Sequence, residues 1–189
     1  YHVFDADQDR SVRGHHESLQ GIRRALGAGE FVLHFQPKVN MRTGTVIGAE
    51  ALIRWQHPLH GLLQPAAFLP AIEDHPLTVE LGEWVIDAAL TQIGAWQRLG
   101  LEIPVSVNVG ARQLLHGDFS RSLCAIMEKH PQVRPGFLEI EVLETSALED
   151  LVRVSQIIEE CREIGVTFSL DDFGTGYSSL AYLKRFPVG

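Results

Sequence analysis

The sequence has little cysteine and no long apolar run. Two cysteines occur among its 189 residues, and neither Cys124 nor Cys161 has another Cys or a His at the spacing of metal ligands. This argues against a zinc site built on thiolates, and we expect buried structural thiols in a reducing compartment. No apolar run approaches the roughly 20 residues of a membrane-spanning helix, and the N-terminus has no signal-peptide pattern. We expect a cytoplasmic segment, even where other domains of a longer parent chain attach it to a membrane.

Basic residues are also few. The sequence has 16 Lys and Arg against 24 Asp and Glu, which gives a formal net charge of -8. Binding to DNA or RNA as a polymer depends on clustered Lys and Arg, and no such cluster occurs in the sequence. We therefore expect no nucleic-acid polymer as a partner. A small anionic ligand held by metal ions remains open.

Strand-like and helix-like segments alternate after a polar opening. Residues 1–17 fit a linker or the tail of an upstream module, and we place the domain at 18–189. The pattern predicts strands that begin at residues 31, 45, 103, 136 and 166, and helices over 81–99, 119–129 and 148–164. A capping box at Ser146 and Glu149 is expected to start the last helix. Strands separated by connections of this length form a parallel sheet.

Two α/β architectures contain such a sheet, the doubly wound sheet and the (β/α)8 barrel. A dinucleotide-binding sheet carries a GxGxxG motif after its first strand, and the sequence has none there. We therefore expect a TIM-like barrel. The strand-like segments are too few to close eight strands, and the chain is about 60 residues shorter than a typical barrel. We expect an incomplete barrel that belongs to a longer protein; the alternative is that a partner copy covers its open sheet edges.

Acidic and amide side chains recur on one face of neighbouring strands. Alternation along each strand separates an apolar face from a face with a carboxylate or an amide near the carboxyl end. The carboxyl ends of barrel strands converge on one mouth, where we expect to find Glu50, Asn108, Glu141, Asp171 and Asp172. The alternation does not choose between Glu139 and Glu141 as the ligand.

Several carboxylates in one dry mouth repel one another unless cations compensate them or some of them take up protons. An all-oxygen ligand set favours Mg²⁺ or Mn²⁺ over Zn²⁺, and two such ions suit the hydrolysis of a phosphoester. A single acidic residue at a strand end is more often a solvated or helix-capping group. Four successive strands with the same pattern are harder to explain in that way.

Six short motifs occur in order along the chain. They are "QP" at Gln36, "EALIRW" from Glu50, "HP" at His57, "VNV" around Asn108, "EVLE" from Glu141 and "DDFGTGYSSL" from Asp171. Together they resemble the EAL domain family, from about Leu19 to the last residue. That family adopts a (β/α)8 barrel with a modified first strand, and its active members hydrolyse cyclic di-GMP to linear pGpG with Mg²⁺ or Mn²⁺. The resemblance implies a phosphodiesterase module of bacterial second-messenger signalling, present here as its N-terminal three-quarters.

The resemblance also implies roles for single residues. The metal ligands, for two ions per site, would be Glu50, Asn108, Glu141, Asp171 and Asp172. Arg54 would contact a substrate phosphate, and Gln36 would contact the nucleotide. A loop that couples metal binding to dimerisation, anchored by Glu144, would contain Phe173, Gly174, Thr175, Gly176, Tyr177, Ser178 and Ser179. The implied partners are cyclic di-GMP, a second copy in a homodimer, and an upstream sensor or GGDEF-type domain.

The sequence departs from the family's pattern in two ways. Leu143 and Thr145 stand where Thr and Ser are usual, which affects only the fine positioning of the two Glu side chains. The family's catalytic Lys, a Glu that helps to activate water and a Gln would lie beyond Gly189, so no general base is assigned in this chain. The alternatives are a receptor that binds cyclic di-GMP without cleaving it and a dimerisation module. The "DFG" at Asp172 echoes protein kinases, but no glycine-rich loop or HRD motif accompanies it.

Overall fold

The computed structural model describes residues 6–143 and 150–171. Its helices and strands are, in chain order, α1 (Ala6–Ala28), β1 (Phe31–Val39), β2 (Val46–His57), β3 (Gly61–Leu63), α2 (Leu77–Arg98), β4 (Val105–Val109), α3 (Ala111–Leu114), α4 (Phe119–Glu128), β5 (Leu138–Leu143), α5 (Leu151–Glu163) and β6 (Thr167–Asp171). Two 3₁₀ turns, Pro65–Ala67 and Leu69–Ala71, precede α2. Over these described stretches, none of the helices combines the length and the apolar character that crossing a membrane requires.

The described residues divide into two compact units. The first contains the residues up to Val32 and Ile53–Leu81, and the second contains Leu33–Leu52 and the residues from Gly82 onward. The elements β1, β2 and α2 each begin in one unit and continue in the other.

An aromatic cluster forms the core of the first unit. The ring centroids of Phe31, Trp55 and Phe68 lie 5.5 to 5.8 Å apart, in the tilted and edge-on arrangements that aromatic rings favour. Trp55 Nε1 donates to Glu30 Oε2 at 2.9 Å, so the polar atom of this buried indole has a partner. The strand β3, which the sequence pattern did not predict, pairs antiparallel with the end of β2.

The sheet has the strand order β1-β2-β4-β5-β6, with β3 paired to β2 outside this path. The pairs β2–β4, β4–β5 and β5–β6 are all parallel, which confirms the predicted parallel core. Each parallel pair is separated along the chain by at least one helix, as the topology requires. These strands form part of a TIM-like barrel.

The first strand departs from the all-parallel sheet that the sequence pattern predicts. The Asn40 N–H donates to the Thr45 carbonyl at 2.9 Å, and the Gln56 N–H donates to the Glu30 carbonyl at 2.8 Å. These two bonds join opposite ends of β1 and β2, so the strands run antiparallel. The connection between them is short enough for a hairpin, and Gly44 turns it with φ 70°. This antiparallel strand is the modified first strand that the family resemblance implies.

One face of the sheet is apolar in the second unit. The apolar residues that alternate along β4 and β5 are buried, namely Val105, Val107, Val109, Leu138, Ile140 and Val142. The helices α4 and α5 contact each other, and α5 contacts β6. Their buried residues include Leu123, Ile126, Val154 and Ile157. Because successive side chains of a strand point to opposite faces, the polar side chains of β4 and β5 lie on the other face.

The helix ends follow local signals. α2 starts at Leu77, four residues before the predicted start, and His75 Nδ1 accepts from the Leu77 N–H at 3.1 Å. Gly100 (φ 78°) and Gly165 (φ 83°) adopt the left-handed conformation predicted after α2 and α5. α5 begins at Leu151 behind Asp150, whose side chain accepts from the Arg153 N–H. The predicted capping box at Ser146 and Glu149 lies outside the described residues.

Two further predictions agree with the structure only in part. α1 begins within residues 1–17, where no helix was predicted, while the assignment of that segment as a linker stays a prediction. Cys161 is buried as expected, and burial raises the pKa of its thiol to about 12. Cys124 is only partly buried, which corrects the expectation that both thiols are buried. It lies on α4 near Glu128.

Candidate metal site

The strand register brings the predicted polar residues onto one face of the parallel strands. Glu50 pairs with Ser106, and Ser106 pairs with Glu139. Asn108 pairs with Glu141, two residues further along the same strands. Because residues two apart on a strand share a face, Glu50, Asn108, Glu139 and Glu141 all project from the same side of the sheet.

Glu50 and Asn108 contact each other directly. The Asn108 Nδ2 donates to Glu50 Oε1 at 2.7 Å, although the two residues are 58 positions apart in the chain. Glu50 is half-buried and Asn108 is exposed. Neighbouring parallel strands thus place an amide and a carboxylate side by side at the face predicted to bind a ligand.

Glu141 contacts a lysine that the sequence reasoning did not single out. Lys38 Nζ lies 2.5 Å from Glu141 Oε1 and 3.4 Å from Glu139 Oε2. The side chain of Glu141 is 11% exposed, against 30% for Glu139. Burial lowers the pKa of Lys38, but the hydrogen bond to Glu141 and the charges of both glutamates outweigh it, so the net pKa is raised.

The stem of Lys38 runs beside Gly48. A Cβ on Gly48 would lie 3.7 Å from Lys38 Cδ, 3.9 Å from Lys38 Cβ and 3.3 Å from the Pro104 carbonyl oxygen. The two distances to Lys38 are those of ordinary van der Waals contact, so the lysine stem packs beside Gly48, and only the Pro104 carbonyl oxygen would be crowded. Lys38 shares a face of β1 with Gln36, two residues earlier, so alternation alone could have placed it on the face of a predicted site residue but could not have identified its partners.

The other predicted site residues are found in different settings. Gln36 is exposed on β1. Arg54 lies on β2 in the first unit, half-buried, with Nη1 donating to the Ile53 carbonyl at 2.8 Å. Asp171 ends β6, where it pairs with Leu143. Asp172, Glu144 and segment 173–179 lie outside the described residues.

The family of the chain follows from comparison with known proteins. The model of the EAL domain family matches residues 19–189. The chain belongs to the EAL domain family. It is 40% identical over 189 residues to the Pseudomonas aeruginosa protein "Bifunctional diguanylate cyclase/cyclic di-GMP phosphodiesterase MucR", covering 100% of this chain and 27% of that protein. It is 37% identical over 187 residues to the Escherichia coli protein "Cyclic di-GMP phosphodiesterase PdeR", covering 98% of this chain and 28% of that protein.

A solved EAL structure has the same fold. The structure described as "PaMucR Phosphodiesterase, c-di-GMP complex" superimposes with a TM-score of 0.86 and 42% identity, covering 92% of this chain and 70% of that chain. The EAL domain described here spans about a quarter of the length of the two curated relatives.

The donor chemistry of this EAL domain fits a hard cation. Two carboxylates and an amide come from neighbouring strands at one face, and oxygen donors of this kind suit Mg²⁺ or Mn²⁺. The positively charged ammonium of Lys38 lies beside the Glu141 carboxylate. Within residues 6–143 and 150–171, no three His, Cys, Asp or Glu residues gather closely enough to hold an ion. A complete ligand set therefore requires Asn108 or the acids at the end of β6.

Proposed function

We propose that this chain is part of a phosphodiesterase that hydrolyses cyclic di-GMP to linear pGpG with bound Mg²⁺ or Mn²⁺. The observation that carries the proposal is the row of oxygen donors on parallel strands, in which Glu50 is bonded to Asn108 and Asn108 pairs with Glu141. The carboxyl ends of barrel strands form the ligand-binding face of this fold. The relatives named as cyclic di-GMP phosphodiesterases support this choice of substrate.

We assign two divalent ions to Glu50, Asn108, Glu141, Asp171 and Asp172. When bound, such ions activate water and polarise the phosphoryl oxygens. The Asn108 amide adds an oxygen donor without adding a negative charge to a site that already contains several carboxylates. Its Nδ2 group is occupied by Glu50, which leaves Oδ1 for a ligand.

We assign substrate contacts to two residues. Arg54 would bind a phosphate of the dinucleotide, since a guanidinium matches the geometry of phosphate oxygens. Its bond to the Ile53 carbonyl uses one of five N–H groups and leaves the others for substrate. Gln36 would contact the nucleotide. No residue of this chain is assigned as a general base.

The biological setting is also proposed. Glu144 and segment 173–179 would form the loop that couples metal binding to a homodimer. Residues 1–17 would join the EAL domain to an upstream sensor or GGDEF-type domain, in a protein whose EAL domain works in the cytoplasm. The small share of the curated relatives that this chain spans supports a longer parent protein.

The test is hydrolysis by the full-length protein. Incubation with cyclic di-GMP and Mg²⁺ or Mn²⁺ is expected to give pGpG, identified by chromatography and mass. Glu50→Gln removes a metal-ligand charge and is expected to lower kcat/KM by roughly 100-fold. Glu159→Gln makes the same chemical change at an exposed position of α5 and is expected to keep activity.

The same assay separates the alternatives. If the wild-type protein binds cyclic di-GMP tightly but forms no product, its function is that of a receptor and not of an enzyme. Failure to bind the dinucleotide at all, in a protein whose fold is intact by circular dichroism, would reject both functions. Dependence on the two metals is tested separately, by restoring activity with each ion after chelation.

A further inference from the structure

Lys38 lies between two carboxylates of the same strand. Its Nζ is within 3.4 Å of both Glu139 and Glu141, and these two residues share a face of β5 because they are two positions apart. Only Glu141 belongs to the proposed metal ligands. Glu139 pairs in register with Ser106, which lies two residues before Asn108 on β4.

The contact at Glu141 engages the group that a metal ion would need. Glu141 Oε1 accepts from the ammonium, and the Glu141 side chain is only 11% exposed. Two positive charges on one buried carboxylate repel each other, and this repulsion is screened less than at an exposed site. A divalent ion at Glu141 therefore competes with Lys38 for the same carboxylate.

Glu139 offers Lys38 a second position. It is already within 3.4 Å of the ammonium and is more exposed than Glu141. The Ser106 hydroxyl, in register with Glu139, is buried and has no hydrogen-bond partner among the described residues. A lysine has three rotatable donors on a flexible stem, so a small movement can exchange one acceptor for another.

We propose that Lys38 is an internal counter-ion that occupies Glu141 when no metal is bound, and that Glu139 is the carboxylate to which it withdraws when a metal binds. This inference rests on the proposed metal site. Lys38 is then a positioning residue that sets the metal concentration at which the site fills. Glu139 is a second positioning residue, which acts through Lys38 and does not touch the metal.

The experiment is a titration of the metal-free full-length protein with Mn²⁺. Binding is measured from the electron paramagnetic resonance signal of the Mn²⁺ that remains free. Lys38→Met keeps an unbranched side chain, one atom shorter, and removes the competing charge. It is expected to tighten Mn²⁺ binding by about tenfold, within the range of coupling between contacting charges. Glu139→Gln removes the second position of Lys38 and is expected to weaken Mn²⁺ binding several-fold.

The double variant Lys38→Met/Glu139→Gln decides the role of Glu139. If Glu139 acts only through Lys38, the double variant binds Mn²⁺ as tightly as Lys38→Met alone. If Glu139 is itself a metal ligand, the double variant binds more weakly than Lys38→Met, which overturns the proposed withdrawal. Lys129→Met removes an exposed lysine that follows α4 and is expected to leave Mn²⁺ affinity unchanged.

Thermal unfolding provides a second readout. Lys38→Met leaves Glu141 without its counter-ion, so the metal-free variant is expected to melt at a lower temperature than the wild type and to gain more from added Mn²⁺. Two results together would overturn the proposed competition between Lys38 and the metal but support the metal site. Lys38→Met would bind Mn²⁺ no more tightly than the wild type, and Glu50→Gln would abolish binding. If neither the wild type nor any variant binds Mn²⁺, both the competition by Lys38 and the proposed metal site are overturned.

Discussion

Asn108 Nδ2 lies 2.7 Å from Glu50 Oε1, a hydrogen bond that runs diagonally between two parallel strands. Glu50 is in register with Ser106, so its carboxylate reaches past that residue to the next side chain on the same face of β4. The bond uses the donor end of the amide and orients its oxygen away from Glu50. The hydrogen bond therefore fixes two neighbouring polar side chains relative to each other on this face of the sheet.

Asn108→Ala tests this organisation. The variant removes a proposed ligand and releases the Glu50 carboxylate, so Mn²⁺ affinity is expected to fall by roughly 10- to 100-fold, as measured by calorimetric titration. Asn40→Ala is the matched control, since Asn40 Oδ1 accepts from the Arg42 N–H in the β1–β2 hairpin. The control is expected to reduce thermal stability slightly and leave metal affinity unchanged. Equal loss of affinity in both variants would remove Asn108 from the site.

Gly48→Ala is expected to destabilise the sheet. The added Cβ would lie 3.3 Å from the Pro104 carbonyl oxygen, which already accepts from the Ala49 N–H at 2.9 Å and has little freedom to move. We expect the free energy of unfolding, measured by urea denaturation, to fall by about 1 to 3 kcal/mol.

The control is Gly27→Ala, within α1. A Cβ there meets nothing within 4 Å, and Ala is favoured over Gly inside a helix, so a gain of up to about 1 kcal/mol is expected. If Gly48→Ala behaved in the same way as Gly27→Ala, the crowding beside Pro104 would be disproved.

Much of the fold follows from periodicity along the chain. Alternation of apolar and polar residues in β4 and β5 predicted both the buried face and the shared face of Asn108 and Glu141, because side-chain direction in a strand depends only on position. The direction of β1 was missed. The connection between Asn40 and Thr45 is short, and the rule that short connections join antiparallel strands would have identified the hairpin.

Lys38 could not be assigned from spacing alone. Its partners lie 101 and 103 residues away, on a strand that is not adjacent to β1 in the sheet. The contact depends on the reach of a long flexible side chain, which has no sequence period. Alternation with Gln36 could indicate which face of β1 Lys38 occupies, but not which carboxylate it reaches.

Two aspartates at helix starts provide a matched pair for stability. Asp150 accepts from the Arg153 N–H at 3.0 Å and caps α5, so Asp150→Ala is expected to lower the free energy of unfolding by about 0.5 to 2 kcal/mol. Asp118 precedes α4 but its side chain makes no capping bond, and its ion pair with Arg121 is exposed. Asp118→Ala is therefore expected to change stability by less than about 1 kcal/mol. Equal losses would contradict the assigned cap.

The charge on Lys38 should make the stability of the metal-free protein depend on alkaline pH. The net pKa of Lys38 is raised above the ordinary value of 10.5, so at high pH the folded state binds more protons at this group than the unfolded state. Stability from the ion pair is then fully present below the ordinary lysine pKa and is lost as the pH rises through the folded value.

Urea unfolding is measured from about pH 9 to about pH 11.5, across the ordinary pKa of lysine. Other groups also titrate there, so the informative quantity is the difference between variants. The wild type and Lys129→Met are expected to lose stability in parallel, because Lys129 is exposed. Lys38→Met lacks the titrating ammonium and is expected to lose less over the same interval. A decline as steep as that of the wild type would mean that the ammonium of Lys38 does not stabilise the folded state through Glu139 and Glu141.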